Sequence, residues 1–232
     1  MTARNPFRCE IEEMIEARDL HGLLRRAGEL HGHHCNYLAY GVMAGVYGIR
    51  RLGVANTGME EVVAIVETNN CFADGVQIAT GCSFGNNSLI FRDYGKTAVT
   101  IGRRNGRGIR LVLDPDFEES RAERYPEAHA LFDRLVARRE QGTTGELARM
   151  LELFAAMSCE ELETPPETAF RITEESFELP DFAPIFESVR CACCGEKVMR
   201  SRAVDLPGGS RCIPCARAGF HELNGGGIER HG

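Results

Sequence analysis

Thr97-Ala98-Val99-Thr100-Ile101, followed by Asn105-Gly106 and then Ile109-Arg110-Leu111-Val112-Leu113, is the stretch that decides the fold. Two short, β-branched runs flank an Asn-Gly pair, and both residues of that pair tolerate the positive φ of a type I′ turn, so the pattern predicts a hairpin. Upstream, Ser88-Leu89-Ile90-Phe91 leads into Asp93-Tyr94-Gly95-Lys96 and extends the hairpin into a meander. Further back, Glu61-Val62-Val63-Ala64-Ile65-Val66-Glu67 is short, branched and bounded by polar residues, which is the signature of a strand. Before it, Leu38, Val42, Val46, Ile49 and Leu52 recur at steps of three and four, the period of a helix with one buried face. Ala73 to Ala79 fits a short helix opening near Asp74, although Gly75 weakens it. Helix, strand, helix and then strands in succession define an α+β fold.

Beyond Leu113 come helical patterns, and the composition changes at Pro165-Pro166. Glu127 to Arg139 and about Gly145 to Met157, the latter with Thr144 as N-cap, read as polar amphipathic helices. Pro165-Pro166, Pro180, Pro184 and Pro207 punctuate the remainder of the chain. The expected organisation is an α+β core over residues 1–115, a helical arm and linker over 116–186, and a cysteine-rich module over 187–232. Leu131, Leu135, Leu147, Leu151 and Phe154 need burial somewhere, and a second copy of the chain would supply it, so a homodimer is expected.

The chain has 232 residues, a net charge of −7 and ten cysteines. The acidic balance argues against a surface built to neutralise nucleic-acid phosphates. The N-terminus lacks the apolar run of a secretory signal and no stretch is long enough to span a membrane, so a reducing, cytoplasmic setting is expected. In such a setting cysteines serve metal or thiol chemistry.

Cys191 and Cys194 enclose two residues, Cys212 and Cys215 do the same, and 17 residues separate the pairs. Two intervening residues let one turn aim both sulfurs at a single ion, and four thiolates close a tetrahedron, so this spacing marks a structural zinc site. Cys193, inside the first pair, is expected free or beside the ligands. The second concentration is His31, His33, His34 and Cys35, immediately before the apolar helix. His31 and His33 share a side of an extended segment, and Cys35 sits where a helix N-terminus favours the thiolate. Of the distant thiols, Cys71 at a strand end is the better fourth ligand and Cys82 the weaker, with Asp74 placed to orient a histidine. Mixed imidazole and thiolate donors suit zinc first and iron second. Gly81-Cys82-Ser83-Phe84-Gly85-Asn86-Asn87 lacks the Gly-x4-Gly-Lys-[Ser/Thr] pattern of a phosphate cradle.

Taken in order, His31-Gly32-His33-x-Cys35, Thr80-Gly81-Cys82-Ser83-Phe84-Gly85 and Asp93-Tyr94-Gly95-Lys96 resemble the FmdE family, the E subunits of formylmethanofuran dehydrogenase and their relatives. Cys191-x-x-Cys194-Gly195-Glu196-Lys197-Val198 with Arg211-Cys212-Ile213-Pro214-Cys215 resembles the zinc-finger extension of many members. The resemblance implies a mixed sheet flanked by helices, a treble-clef-like zinc module, a dimer, a metal site in the core, and, for some members, association with a molybdenum or tungsten enzyme. Asn36-Tyr37 departs from the Pro-Gly that usually follows the cysteine.

Three functional readings fit these residues. The first is a metal-binding protein with structural zinc and a second metal, zinc or iron, in the core, accessory to or acting in redox or one-carbon metabolism. The second is a zinc-finger regulator that binds nucleic acid or protein, for which Arg200, Arg202, Arg211 and Arg217 are the available cations. The third is a thiol-redox protein using Cys35.

Overall fold

The computed structural model describes residues 5–176 and 178–232, and the chain separates into two compact units, Met1–Pro180 and Asp181–Gly232. The first unit begins with α1 (Cys9–Ala17), α2 (Leu20–His31) and α3 (Asn36–Leu52). Then come β1 (Val62–Val66), α4 (Cys71–Thr80), β2 (Leu89–Phe91), β3 (Ala98–Arg103) and β4 (Arg107–Leu113). It closes with α5 (Pro115–Ala122), α6 (Pro126–Phe132), α7 (Thr144–Leu162), α8 (Pro166–Ala169) and β5 (Phe170–Ser176).

The five strands form one mixed sheet in the order β2-β1-β3-β4-β5. β1 and β2 are parallel, with Ala64 opposite Leu89, and the remaining pairs are antiparallel. The fold is therefore α+β, with two corrections to the expected connectivity. β2 is an edge strand beside β1 rather than the first strand of a meander, because α4 intervenes and supplies the crossover that parallel pairing requires. The β3–β4 hairpin turns on three residues, since Gly102 pairs with Gly108, and Gly106 (φ 81°) is positive while Asn105 is not. That is a turn ending in a left-handed residue, not a type I′ turn.

α3 is the central helix, buried along most of its length. Its meeting with α4 is unusually close. A Cβ on Gly41 would lie 2.1 Å from the Phe72 carbonyl oxygen, one on Gly75 would lie 2.3 Å from the Leu38 oxygen, and one on Gly45 would lie 2.5 Å from the Ala79 Cβ. Gly41 faces Phe72 and Gly75 while Gly45 faces Val76 and Ala79, so the two helices run in the same direction and begin side by side. Glycine permits this backbone approach because it has no side chain to displace. α4 opens at Cys71, capped by Asn70, whose side chain accepts from the Phe72 N–H at 2.9 Å. It thus starts before the expected Asp74, because the Asn70 cap outweighs the weak helix former at Gly75.

Residues 116–180 of the segment expected as an arm and linker lie within the first unit, and 181–186 in the second. α7 begins one residue after its N-cap Thr143, which forms a reciprocal capping box with Glu146. Its Met150, Phe154, Met157 and Leu162 are buried in the same core as α3. Residues 170–176, read as linker, pair along the whole of β4, with Leu111 opposite Ile172. Phe170 and Ile172 supply the alternate apolar positions a strand needs, obscured by the charged residues between and after them. Leu147 and Leu151 stay exposed, at 49% and 39%.

The second unit is built of small two-stranded pieces: β6 (Ser188–Arg190) with β7 (Lys197–Met199), β8 (Ala203–Leu206) with β9 (Gly209–Cys212), the short α9 (Ile213–Ala216), and β10 (Phe220–Asn224) with β11 (Gly227–His231). Among the described residues no helix is long and apolar enough to cross a membrane.

Candidate metal centres

Cys35 is the N-cap of α3 and Cys71 the first residue of α4, so the parallel start of these helices brings their sulfurs together. His31 ends α2, and Gly32 (φ 92°) turns the chain so that His33 comes back towards it. One ligand atom from each of His31, His33, Cys35 and Cys71 lies within 4.8 Å of the other three. Four residues named from spacing and topology thus converge on one point.

The chemistry of this cluster fits a metal ion. His31 Nδ1 pairs with Asp74 Oδ2 at 2.8 Å, while its Nε2 is buried without a hydrogen-bond partner. A carboxylate that fixes one imidazole nitrogen and leaves the other for a metal is the usual outer support of a histidine ligand. Asp74 is itself held by Gln77 Nε2 at 2.9 Å. The thiols divide one proton between them. The Cys35 thiol is pushed well up by its hydrogen bond to Cys71 and by burial. That same bond, reinforced by the His31 imidazole, brings Cys71 down to about 6. The two thiols therefore titrate together, Cys35 raised and Cys71 lowered. Cys35 is the more deeply buried thiol, and only Cys71 gains from His31. Partial burial and the neighbouring His31 and His34 rings lower the His33 pKa, which favours the neutral, ligating imidazole.

The other candidates lie elsewhere. The His34 ring packs over Gly28 of α2, where any Cβ would meet it at 2.4 Å. Cys82 is fully buried, 3.5 Å from the Val62 carbonyl oxygen and 3.8 Å from Asn56 Nδ2, and behaves as a small core side chain. The polar loop after it is closed on itself by Asn86, which accepts from the Ser83 and Ser88 N–H groups and donates to the Gly81 oxygen at 2.7 Å. It forms no open cradle.

Two features of this region escaped sequence reasoning. Tyr37, one residue into α3, donates its hydroxyl to Glu118 of α5, and its charge environment includes both Cys35 and Cys71. Behind it, Glu161 of α7 is completely buried near Tyr40, with Arg121 Nε 3.3 Å away. Neither carboxylate had a local signal, since each belongs to a polar helix whose partner is distant in sequence. The helix-facing glycines did have one. Gly41 and Gly45 stand four apart on the face of α3, next to its apolar stripe.

In the second unit, Cys191, Cys194, Cys212 and Cys215 offer sulfurs all within 4.8 Å of one another. The first pair lies in the turn between β6 and β7, and Gly195 there has φ 78°. The N–H groups of Cys193 and Cys212 each point at Cys191 Sγ, at 3.4 Å. Backbone N–H groups from Cys194 and Cys212 bring Cys191 down to about 6. The second pair begins α9, with Cys212 as its N-cap. Such N–H···S contacts satisfy thiolates that share an ion. Of the nearby cations, Arg200 is tied to Asp205 at 2.6 Å and to Ser210 at 2.8 Å.

Fold and clusters together define an α+β protein with two separate groups of side chains able to hold metal ions, one of mixed histidine and cysteine and one of four cysteines. Residues 30–171 match the family described as FmdE, molybdenum formylmethanofuran dehydrogenase operon, and the chain belongs to that family. It is 40% identical over 222 residues to an Archaeoglobus fulgidus protein named "probable S-adenosyl-L-methionine-binding protein", covering 94% of this chain and 58% of that one. The chain thus spans little more than half the length of that curated relative. In fold it is similar to the crystal structure of a Syntrophus aciditrophicus protein that is like FmdE, the E subunit of tungsten formylmethanofuran dehydrogenase. The TM-score is 0.52 at 22% identity, covering 93% of this chain and 97% of that one.

Proposed function

We propose that the protein carries a structural zinc at Cys191, Cys194, Cys212 and Cys215, and a second metal, zinc or iron, at His31, His33, Cys35 and Cys71. The second centre serves redox or one-carbon metabolism, either in the chain itself or as an accessory to a molybdenum or tungsten enzyme of the kind for which the family is described. The observation that carries this reading is the convergence of the four mixed donors at the start of two parallel helices, with one histidine already oriented by Asp74. Both helix ends favour thiolate. A bound ion would supply Lewis-acid polarisation or, as iron, electron exchange. The chain's part is to hold the thiols and fix the His31 tautomer through Asp74. The S-adenosylmethionine binding in the relative's name stays with that longer protein.

Elemental analysis of purified full-length protein tests the reading. Two metal equivalents per chain are expected, and one equivalent in both the wild type and a Cys35→Ser variant would refute the core centre.

The close Cys35 and Cys71 thiols favour a second reading, thiol redox. It requires rapid alkylation of Cys71 in protein isolated without a core metal, and a Cys35–Cys71 disulfide, seen by mass spectrometry, that forms when added oxidised glutathione takes the two electrons and protons and is reopened by added dithiol.

A further inference from the structure

The four donors of the mixed cluster are not held alike. His31 belongs to the last turn of α2 and is locked by Asp74. Cys35 caps α3 and is 6% exposed, and Cys71 opens α4 beneath the Asn70 cap. His33 alone comes from the connection between α2 and α3, one residue beyond Gly32, whose left-handed backbone has nothing within 4 Å of where a side chain would be. Its residue is exposed, and its ring lies against that of His31, with centroids 4.4 Å apart and planes tilted by 44°. Three donors are anchored by helix termini and hydrogen bonds. The fourth is anchored by a turn at the surface.

On the reading that this cluster holds a metal, we propose that His33 is a displaceable ligand. A small monodentate donor from solvent, anionic through nitrogen, oxygen or sulfur, takes its place. The anchored set is then two cysteines and one histidine, the donor set of zinc sites that keep a fourth position for substrate. In the exchange the bond from the His33 nitrogen to the ion breaks and one from the incoming donor forms, with no electron transferred and the freed imidazole passing to water. Tyr37, whose hydroxyl donates to Glu118, shares its charge environment with both thiols. The four-cysteine cluster differs, because four thiolates leave no position open.

Cobalt(II)-substituted full-length protein tests this, with azide as the probe and the Cys35→Ser variant as the blank for cobalt in the four-cysteine cluster. Elemental analysis comes first, and a wild type with no core metal would sink the underlying reading rather than this one. Given a loaded core, azide should perturb the visible d–d bands of the wild type in a saturable manner. The His33→Ala and His33→Asn variants should keep the core cobalt and respond at a concentration at least tenfold lower. Free imidazole should restore a wild-type-like spectrum in His33→Ala. Loss of the core cobalt from both His33 variants would show a fixed ligand and overturn the proposal. An azide-silent spectrum in a loaded His33→Ala protein would overturn it as well.

Discussion

At the residue scale, Cys35 and Cys82 set a thiol of the mixed cluster against one outside it. Cys35→Ser should remove one metal equivalent and leave the other, whereas Cys82→Ser should keep both by elemental analysis. The Cys82 change swaps a buried thiol for a hydroxyl near the Val62 oxygen, so its cost should stay around 1–2 kcal/mol in a urea titration.

Glu161 makes a pH prediction. Burial pushes its carboxyl up to about 7, against the Tyr40 hydroxyl, which holds it down. The charged groups facing it are Tyr40 of α3, Arg121 of α5, and Arg124 and Glu160 nearby. A carboxyl with a raised folded pKa keeps its proton in the folded state after the unfolded chain has lost it. Stability from this group is therefore full below about pH 4.5 and falls as pH rises towards 7. The loss should be on the order of 1–3 kcal/mol, since a pKa unit is worth about 1.4 kcal/mol and Arg121 offsets part of the shift. Urea midpoints of wild type and Glu161→Gln should diverge between pH 5 and 7.5 in the wild type's disfavour, and parallel curves would refute the assignment. Asp114, Glu127 and Glu146 have lowered pKa values and act below this window.

At the scale of elements, the distance between Cys35 and Cys71 is set by two helices that touch through backbone. Gly41→Ala should destabilise the protein by roughly 1–3 kcal/mol or more and weaken the core metal. The gain in helix propensity is only about 1 kcal/mol, and the obstructing atom is a backbone oxygen rather than a side chain that can move. Gly145→Ala near the start of α7, where the nearest atom is the Thr143 hydroxyl at 3.9 Å, should instead raise the melting temperature slightly. Equal effects would mean that propensity, not packing, governs both.

The same helices show what a sequence does and does not reveal. Periodicity identified α3, β1 stood out as a short β-branched run between polar residues and is buried at all five positions, and the adjacency of histidine and cysteine located the cluster because three of its donors are local. β5 was hidden because its inward positions alternate with charges, and its partner β4 lies more than fifty residues earlier. The crossover of β2 was hidden because pairing direction depends on where α4 packs. That packing is decided by Gly41, Gly45 and Gly75, and the spacing of the first two marks a face of α3 but not the partner it meets. Cys71 could be chosen over Cys82 from strand-end topology, but the Tyr37–Glu118 and Glu161–Arg121 pairings join helices far apart in sequence and needed the tertiary structure.

For the whole molecule, Cys212→Ser should unfold Asp181–Gly232 while Met1–Pro180 stays folded. A unit of about fifty residues with little apolar interior would draw its folding energy from the proposed zinc. Limited proteolysis should then cut near Pro180 and leave a stable fragment that keeps its core metal, whereas degradation of both units together would count against their independence. Exposed Leu147 and Leu151 on α7, with Phe132 at the end of α6, suit burial by a second copy. Light scattering at micromolar concentration should give twice the chain mass, and Leu147→Glu with Leu151→Glu should halve it.

The division at Pro180 also has a genetic meaning. Every cysteine of the four-cysteine cluster is encoded downstream of it and every donor of the mixed cluster upstream. A premature stop just after codon 180 would delete the four-cysteine cluster entire and spare each residue of the mixed one. A recombination at the same place would transfer the four-cysteine cluster as a complete cassette. Nonsense alleles should therefore fall into two classes, those after Pro180 that keep the mixed cluster and those before β5 is complete that lose it with the sheet.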